Sequence, residues 1–255
     1  PVDIAWSVRG DLCVLPQHEG RVICLDEEDH VYRYAGTGVI ADSGDGGDAL
    51  EAEMGYGGGI VFTEDGTLFI SDSTFSRIRR VQPDGTIDTV LCTGQGGTGA
   101  NGFGPEMAIR FPERLAYDDA TQRLFVADTH NHRIVALDTL TLEAEVVAGS
   151  GEPGFDGDDG PATHAKLHLP SGVVIGPNGG LLIADSRNHV VRHVNTDGTI
   201  STVVGTGEPD LSLTHASPLS MPLVGPAGLS WTSSGGLLIS EQFGHRILNA
   251  KGLYD

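Results

Sequence analysis

The sequence has little positive charge and no long apolar segment. It contains 15 lysines and arginines against 35 aspartates and glutamates among 255 residues, which gives a formal net charge of −20 at pH 7. Such a charge repels nucleic-acid backbones and anionic membrane surfaces. Glycine and polar residues interrupt every hydrophobic stretch before it reaches the roughly 18 residues of a membrane-spanning helix. The composition therefore argues against nucleic-acid partners and against membrane insertion.

Cysteine is also scarce, with Cys13, Cys24 and Cys92 as the only three. Three cysteines are too few for a disulfide scaffold, and their spacing fits no zinc motif. A bridge between Cys13 and Cys24 across a hairpin is one alternative, but the expected strand register places these two side chains on opposite faces. Cysteine usage therefore leaves the redox compartment open.

Glycine is the residue in excess, with 37 copies, and it accompanies an internal repeat. Five segments align around an apolar strand, a turn, a Gly-x-Leu strand and a loop. The aligned leucines are Leu12, Leu68, Leu124, Leu181 and Leu237. The repeats begin at positions 1, 57, 112, 170 and 226, so the period is 55 to 58 residues. A fixed period of this length indicates a repeat architecture.

The repeat pattern is four strand-like segments, a to d, separated by glycine-rich turns. In the second repeat they are predicted at residues 59–63, 67–71, 77–82 and 87–92. Four-stranded antiparallel units in series predict an all-β fold, a β-propeller. We expect one domain over residues 1–255, with repeats at 1–56, 57–111, 112–169, 170–225 and 226–255.

The last repeat ends before a fourth strand, so two architectures fit the sequence. The chain forms either a five-bladed propeller or part of a six-bladed ring, within a longer chain. An open blade edge is a site at which the protein could self-associate.

Three segments resemble the motif of NHL repeats: DTHNHRI from Asp128, DSRNHVV from Asp185 and EQFGHRI from Glu241. GFDGDDGPATHAKLHLP, followed by DGTISTVVGTG, is similar to the longer repeat of teneurin-like and many bacterial proteins. The resemblance implies an NHL-type β-propeller. It implies little about function, because the family includes sensors, protein-binding scaffolds, RNA binders and lyases. The first repeat departs from the pattern, with Pro16 in place of the aspartate.

Eight of the ten histidines map to the b-to-c and d-to-a connections, which emerge on one face of a propeller. We therefore predict a binding face, with the candidates His130, His132, His164, His168 and His215. The alternative is that the histidine of each repeated motif, as in His132, packs within its own blade. The acidic residues that precede this motif, Asp72, Asp128, Asp185 and Glu241, are expected to cap local backbone N–H groups.

Two further residues, Glu113 and Arg114, begin the inner strand of the third repeat. They are candidates for the mouth of the central channel, and a mutual ion pair is the alternative. Both residues are part of the predicted binding face.

Metal binding is a separate hypothesis. Asp156, Asp158 and Asp159 place three carboxylates within four residues, and hard oxygen ligands suit Ca²⁺. The loop lacks the terminal glutamate of an EF-hand, and the resemblance implies that it is an interblade connection. Zn²⁺ is the alternative metal, if His164, His168 and His215 converge.

The sequence contains no nucleophile elbow, phosphate loop or metalloprotease helix. We therefore expect a non-catalytic scaffold that binds a protein, a glycan or a small molecule, in an extracellular or periplasmic setting. The alternative is a metal-dependent lyase or hydrolase with its site at the central channel. RNA binding, which the resemblance also allows, conflicts with the sparse and scattered basic residues.

Overall fold

A computed structural model describes residues 2–92, 94, 96–212 and 217–253. Within these residues the secondary structure consists of β-strands and short 3₁₀ turns. No helix in this part of the chain is long and apolar enough to cross a membrane.

The strands form five antiparallel sheets that follow one another along the chain. The first sheet has the order β1-β2-β3-β4, with β1 (Asp3–Trp6), β2 (Leu12–Leu15), β3 (Gly20–Leu25) and β4 (Val31–Gly38). The strands of the second are β5 (Gly47–Asp48), β6 (Gly57–Phe62), β7 (Leu68–Asp72), β8 (Arg77–Val81) and β9 (Thr86–Leu91). Their order is β5-β9-β8-β7-β6.

The third sheet repeats the arrangement of the second. Its strands are β10 (Gly102–Phe103), β11 (Pro112–Asp118), β12 (Arg123–Asp128), β13 (Arg133–Asp138) and β14 (Glu143–Ala148), in the order β10-β14-β13-β12-β11. The fourth sheet comprises β15 (Pro170–Ile175), β16 (Leu181–Asp185), β17 (Val190–Val194) and β18 (Ile200–Val204). The fifth comprises β19 (Pro226–Trp231), β20 (Leu237–Glu241) and β21 (Ile247–Ala250).

These sheets are the blades of a β-propeller, as the repeats predicted. The edge strands β6, β11, β15 and β19 of the second to fifth blades begin at the positions where the repeats were expected to begin, from Gly57 to Pro226. The strands of the second repeat agree with their predicted bounds to within two residues. The two-residue strands β5 and β10 were not predicted, because a pair of residues in a glycine-rich connection carries no alternating pattern.

The connections contain five short 3₁₀ turns. They span Gly104–Glu106, Thr129–Asn131, Ala162–His164, Ser186–Asn188 and Pro218–Ser220. The segment PATHAKL, in which a single helical turn was expected, contains the third of them.

The chain forms two compact units. The first consists of Pro1–Val126 with Ala136–Glu145, and the second of Ala127–Val135 with Val146–Asp255. A core cluster in the first unit joins the first two sheets, and it includes Leu15, Val22, Ile60 and Leu68. A cluster in the second unit joins the fourth and fifth sheets.

Glycine allows the inner strands of the second and third sheets to approach each other within the first unit. A Cβ atom on Gly58 would lie 2.6 Å from the carbonyl oxygen of Pro112. This separation is too short for any side chain, so the contact requires glycine.

The expected register of Cys13 and Cys24 is wrong. The two residues are directly opposed on β2 and β3, and they form a disulfide with a Cα–Cα distance of 4.0 Å. Directly opposed residues of an antiparallel pair point to the same face, which brings the two sulfur atoms together. The turn between the strands fixes this register. Cys92 is a buried thiol.

Candidate functional site

In the second unit, the acidic residue that ends the second strand of a sheet binds the connection that leads into that sheet. Asp185 accepts a hydrogen bond from the backbone N–H of His168 at 2.7 Å, and Glu241 accepts one from Val224 at 2.8 Å. Backbone capping was predicted for both residues, although the bonded groups lie 17 residues away. Burial raises the pKa of Asp185 to about 7, although the hydrogen bonds from His168 and Asn188 act to lower it.

In the DTHNHR motif, the carboxylate of Asp128 accepts hydrogen bonds from two other residues of the motif. Asn131 Nδ2 donates to Asp128 Oδ2 at 2.8 Å, and Arg133 Nε donates to the same oxygen at 2.7 Å. Asp128 is fully buried, and Asn131 and Arg133 are almost so. Buried polar groups are stable only when each has a hydrogen-bond partner, so the spacing of the motif is the one that allows Asp128, Asn131 and Arg133 to hydrogen-bond to each other.

The motif histidines fix the connection that follows their sheet. His132 and His189 have left-handed backbone conformations, with φ of 54° and 56°. His132 Nδ1 accepts a hydrogen bond from the N–H of Leu169, and His189 Nδ1 accepts one from Gly225, both at 3.1 Å. Acceptance requires a neutral imidazole, and burial lowers the pKa of both rings. The motif histidine thus has a defined structural contact.

Two of the predicted histidines lie against each other. The rings of His132 and His168 pack edge to face with centroids 5.7 Å apart. After burial, the neighbouring His168 and His130 are the next causes of the lowered pKa of His132. His168 also accepts a hydrogen bond through its carbonyl oxygen from the N–H of Arg187, at 3.1 Å. The imidazole pair is therefore joined to the loop between β16 and β17.

This loop carries the exposed Arg187, and two exposed phenylalanines, Phe155 and Phe243, lie on other loops beside it. The guanidinium of Arg187 lies 5.1 Å from the ring centroid of Phe243. Its neighbour Asn188 donates to the carbonyl oxygen of Gly154 at 2.6 Å, which fixes the residue before Phe155. We call His132, His168, Arg187, Phe243 and Phe155 the aromatic loop surface. Phe155 and Phe243 are 51% and 45% exposed.

The other predicted histidines have different positions. His130 and His164 are exposed on the 3₁₀ turns that precede β13 and β15. His215 lies outside the described residues. The structure therefore brings the rings of His132 and His168 into contact, and His130 lies near enough to lower the pKa of His132.

Glu113 and Arg114 belong to the first unit, and the charge of Arg114 opposes the effect of burial on the pKa of the Glu113 carboxyl group. Arg114 Nη1 donates to the carbonyl oxygen of Gly58 at 2.9 Å and lies 3.4 Å from Asp3 Oδ1. Glu113 is half-buried, and this burial raises the pKa of its carboxyl group to about 7.

The acidic loop proposed for Ca²⁺ binds a buried arginine. Asp158 Oδ1 accepts from Arg192 Nη2 at 2.6 Å, and Asp158 Oδ2 accepts from Thr202 at 2.7 Å. Asp156 accepts a hydrogen bond from the N–H of Gly157, and Asp159 has a φ of 65°. Over the described residues, no three histidine, cysteine, aspartate or glutamate side chains form a group that could hold a metal ion. In this structure the loop binds Arg192 through Asp158. We call such a pairing, between a carboxylate of the connecting loop and a buried arginine of the sheet, the latch.

An equivalent latch occurs in the first unit. Arg79 is fully buried on β8, and its Nη2 lies 2.7 Å from Asp45 Oδ1. Arg79 also donates to the carbonyl oxygens of Glu53 and Ser43. These two residues form an isolated antiparallel bridge, like the bridge between residues 156 and 166 in the second unit.

The latch was missed in the sequence, although the repeats contain a signal for it. Arg79 and Arg192 occupy the same repeat position, and Asp45 and Asp158 occupy a second one. In the third sheet Val135 occupies the first of these positions, and Ala100, in the connection that leads into this sheet, occupies the second. Arginine and aspartate therefore occur together at two sheets, and both are replaced at the third. Phe155 and Phe243 were missed because an isolated aromatic residue in a glycine-rich loop has no periodic pattern.

A polar cavity of about 550 Å³ lies in the first unit, apart from the predicted residues. It is lined by Asn101, Gly102, Arg123, Asp138, Thr141, Glu143, Ala144 and Glu145. Arg123 and Glu145 form an ion pair within it. None of the candidate site residues lines this cavity.

The profile of the Teneurin NHL domain matches residues 78–232. The chain belongs to this family. Teneurin-3 of Danio rerio is 34% identical over 184 residues, which cover 66% of this chain and 6% of that protein. The chain therefore corresponds to a small part of the teneurins that it matches, and an NHL-repeat propeller is the part that they share. Teneurin-3 is an animal protein, so the resemblance to repeats of bacterial proteins does not establish a bacterial origin.

Solved structures share the fold of this teneurin-type NHL domain at low identity. Virginiamycin B lyase from Staphylococcus aureus aligns with a TM-score of 0.63 and 12% identity, over 97% of this chain and 65% of that one. A chain from the nidogen/laminin complex aligns with a TM-score of 0.60 and 17% identity, over 94% of this chain and 74% of that one. At these identities the likeness shows the propeller fold alone.

Proposed function

We propose that this NHL domain is a non-catalytic binding domain that contacts a protein partner through the aromatic loop surface. The observation that carries the proposal is the exposure of Phe155 and Phe243 beside arginines. The exposed Arg187 lies over Phe243, with its guanidinium 5.1 Å from the ring centroid. The guanidinium of Arg192, which is fully buried, lies 5.3 Å from the Phe155 ring and packs against it from inside the protein. Aromatic and arginine side chains provide most of the binding energy at protein interfaces.

The surface is already organised for binding. Backbone and amide hydrogen bonds join its segments, from Arg187 to His168 and from Asn188 to Gly154. Groups held in one arrangement lose less conformational entropy when a partner binds. A rigid set of loops on a propeller therefore suits recognition of a folded surface.

Two further observations favour a protein as the ligand. The net charge of −20 repels polyanions. One structure with this fold, from the nidogen/laminin complex, belongs to a protein assembly. The imidazoles of His132 and His168 add groups that hydrogen-bond to side chains or backbone at an interface. The metal-dependent lyase or hydrolase stays a prediction from the resemblance.

We also propose that the domain functions in an oxidising compartment, outside the cytosol. The disulfide between Cys13 and Cys24 supports this setting, because cytosolic reductants keep most thiols reduced. An extracellular or periplasmic location agrees with a role in contact between proteins.

The binding proposal is tested with the purified chain as bait on an array of extracellular protein ectodomains, with a glycan array in parallel. We expect a protein ectodomain to bind. The variant Phe155→Ser with Phe243→Ser should weaken that binding by roughly a hundredfold or more, because each buried aromatic ring contributes about 2 kcal/mol.

Leu140→Ser is the matched control, because Leu140 is 76% exposed and lies outside the aromatic loop surface. It should retain the affinity of the wild type. Binding that the double variant leaves unchanged would contradict the proposed surface. Selective binding to glycans alone would contradict the proposed partner.

A further inference from the structure

Arg187 is an exposed cation without a carboxylate partner in a strongly acidic chain. Most of the 15 lysines and arginines lie within 3.9 Å of an aspartate or glutamate oxygen, as Arg192 does with Asp158. In the part of the chain that the structure describes, the guanidinium of Arg187 has no ion pair and no hydrogen bond. Its observed contact is with the ring of Phe243.

The position of Arg187 in the repeat explains its exposure. It is the third residue of the repeated motif, in the loop between β16 and β17, and the same position holds His130 in the third sheet and Phe243 in the fifth. All three side chains are exposed. In the fourth sheet, by contrast, the first and fourth residues of the motif, Asp185 and Asn188, are buried and hydrogen-bond to each other. The third position is therefore the one that the motif presents to solvent.

The ring that contacts Arg187 is fixed by the connection that leads into its sheet. A Cβ atom on Gly225 would lie 2.5 Å from Phe243 Cδ2, so the ring lies directly against this backbone. The N–H of Gln242 donates to the carbonyl oxygen of Gly225 at 2.9 Å, and the N–H of Gly225 donates to His189 Nδ1. The guanidinium that lies over this ring is therefore positioned before a partner binds.

The motif carboxylates on either side of Arg187 already have partners. Asp185 accepts a hydrogen bond from the backbone N–H of His168, and Glu241 binds the guanidinium of Arg246. Glu208 is exposed, but it forms no ion pair with Arg187 in the described structure. The charge of Arg187 is therefore available to a carboxylate of another molecule.

A guanidinium can contact a ring and a carboxylate at the same time. It stacks on aromatic rings through its face, whereas its N–H donors lie in its plane and match the two oxygens of a carboxylate. The net charge of −20 opposes a long acidic ligand. Exposed charges more than about 8 Å away are largely screened at physiological ionic strength, so a single carboxylate at Arg187 meets mainly the local positive charge.

We propose that Arg187 binds one aspartate or glutamate side chain of the protein partner, and that Phe155 and Phe243 contact an apolar residue next to it. The hydrogen bond from Asn188 to the carbonyl oxygen of Gly154 joins the two loops that carry Arg187 and Phe155. The inference rests on the proposed function, because it names the chemistry that a protein must present to the aromatic loop surface.

The test is a selection of random peptides displayed on phage against the wild type and three variants. Peptides that bind the wild type should be enriched in aspartate or glutamate beside an aromatic or large aliphatic residue. Arg187→Gln should lose this enrichment, and Arg187→Glu should select lysine or arginine instead, because its charge is reversed. Arg9→Gln is the matched control, since Arg9 is also exposed and has no ion pair among the described residues. It should select the same peptides as the wild type.

One selected peptide is then synthesised with its glutamate and with glutamine in that place, and titration calorimetry measures both affinities. The glutamate peptide should bind the wild type roughly tenfold or more tightly than the glutamine peptide. The two peptides should bind Arg187→Gln equally. Raising NaCl from about 50 mM to about 500 mM should weaken the binding of the glutamate peptide alone.

Selected peptides without carboxylates, or a preference for glutamate that persists in Arg187→Gln, would overturn the inference. Binding of sialylated glycans through Arg187, with no peptide selected, would assign the carboxylate to a sugar and overturn it as well. An ectodomain whose binding requires Phe155 and Phe243 but tolerates Arg187→Gln would overturn this inference while supporting the proposed function. Failure of the proposed function is recognised separately, as ectodomain binding that the double phenylalanine variant leaves unchanged.

Discussion

The guanidinium of Arg192, which is fully buried, donates to the carboxylate of Asp158 at 2.6 Å. Arg192 also lies 3.7 Å from the buried Asp185. One arginine therefore joins the loop that precedes the fourth sheet to the acidic residue that ends β16. Removing the arginine leaves the buried carboxylate of Asp185 without its cation, and this lowers the free energy of unfolding.

Arg192→Ala should destabilise the protein by about 3 kcal/mol, because Asp185 then lacks its cation inside the protein. Urea denaturation followed by circular dichroism measures the loss. Arg123→Ala is the control, since Arg123 and Glu145 form a partly exposed pair that should contribute less than about 1 kcal/mol. Equal losses in the two variants would contradict the importance of the latch.

Arg192→Val with Asp158→Ala reproduces the combination of Val135 and Ala100 found at the third sheet. We expect the loss in this double variant to be smaller than the sum of the two single losses, because Arg192→Val already removes the cation that pairs with Asp158, while Asp185 lacks its arginine in both variants. Asp158 is partly exposed, so Asp158→Ala alone should cost less than Arg192→Val alone. Strictly additive losses in the double-mutant cycle would show that the two positions are independent.

Acidification should weaken the contact between His132 and Leu169. The pKa of His132 is lowered in the folded state, so protons bind the unfolded chain more strongly, and stability is lost as the pH falls from about 6.5 through the folded pKa. His132→Gln keeps a hydrogen-bond acceptor without the titration. The measurement is the difference in unfolding free energy between wild type and variant from pH 8 to pH 5.

Asp185 and Glu113 titrate with the opposite sign, since burial raises their pKa values. Their contribution to the free energy of unfolding is the same in the wild type and in His132→Gln, so it cancels when the two values are subtracted. The wild type should therefore lose stability relative to His132→Gln as the pH falls. A difference that stays constant with pH would contradict the structural contact of His132.

Glu113→Gln should stabilise the protein at alkaline pH. The folded pKa of Glu113 is about 7, so the wild-type side chain contributes its full stability only at acidic pH and loses it as the pH rises through 7. The gain at pH 8 should be at most about 3 kcal/mol, reduced by the partial exposure of the group. Thermal unfolding at pH 4 and pH 8 measures it. A gain of equal size at both pH values would show that ionisation is not the cause.

The disulfide should contribute about 3 kcal/mol, because it closes a loop with a sequence separation of 11. Cys13→Ala with Cys24→Ala should lower the urea midpoint accordingly. Alkylation of the denatured, unreduced wild type should label one cysteine, Cys92, and labelling after reduction should reach all three. Three labels without reduction would show that the pair is reduced in the purified protein.

The sequence by itself determined the repeat and its strands. Glycines and aspartates recur at the turns, and Leu12, Leu68 and their equivalents recur in the second strand. These signals are local, because a turn needs particular backbone angles and a strand needs alternating side chains. The motif around Asp128 was also visible, since its partners lie within five residues.

Tertiary structure alone decided which distant groups meet. Cys13 and Cys24 share a face because the hairpin register pairs them. Arg192 lies 34 residues from Asp158, and His132 lies 37 residues from Leu169. Such contacts depend on how strands and connections pack in three dimensions, and a single sequence carries no periodic signal for them. Of the side chains that were predicted to bind a metal, Asp158 pairs with Arg192 and Asp156 accepts a hydrogen bond from a backbone N–H group.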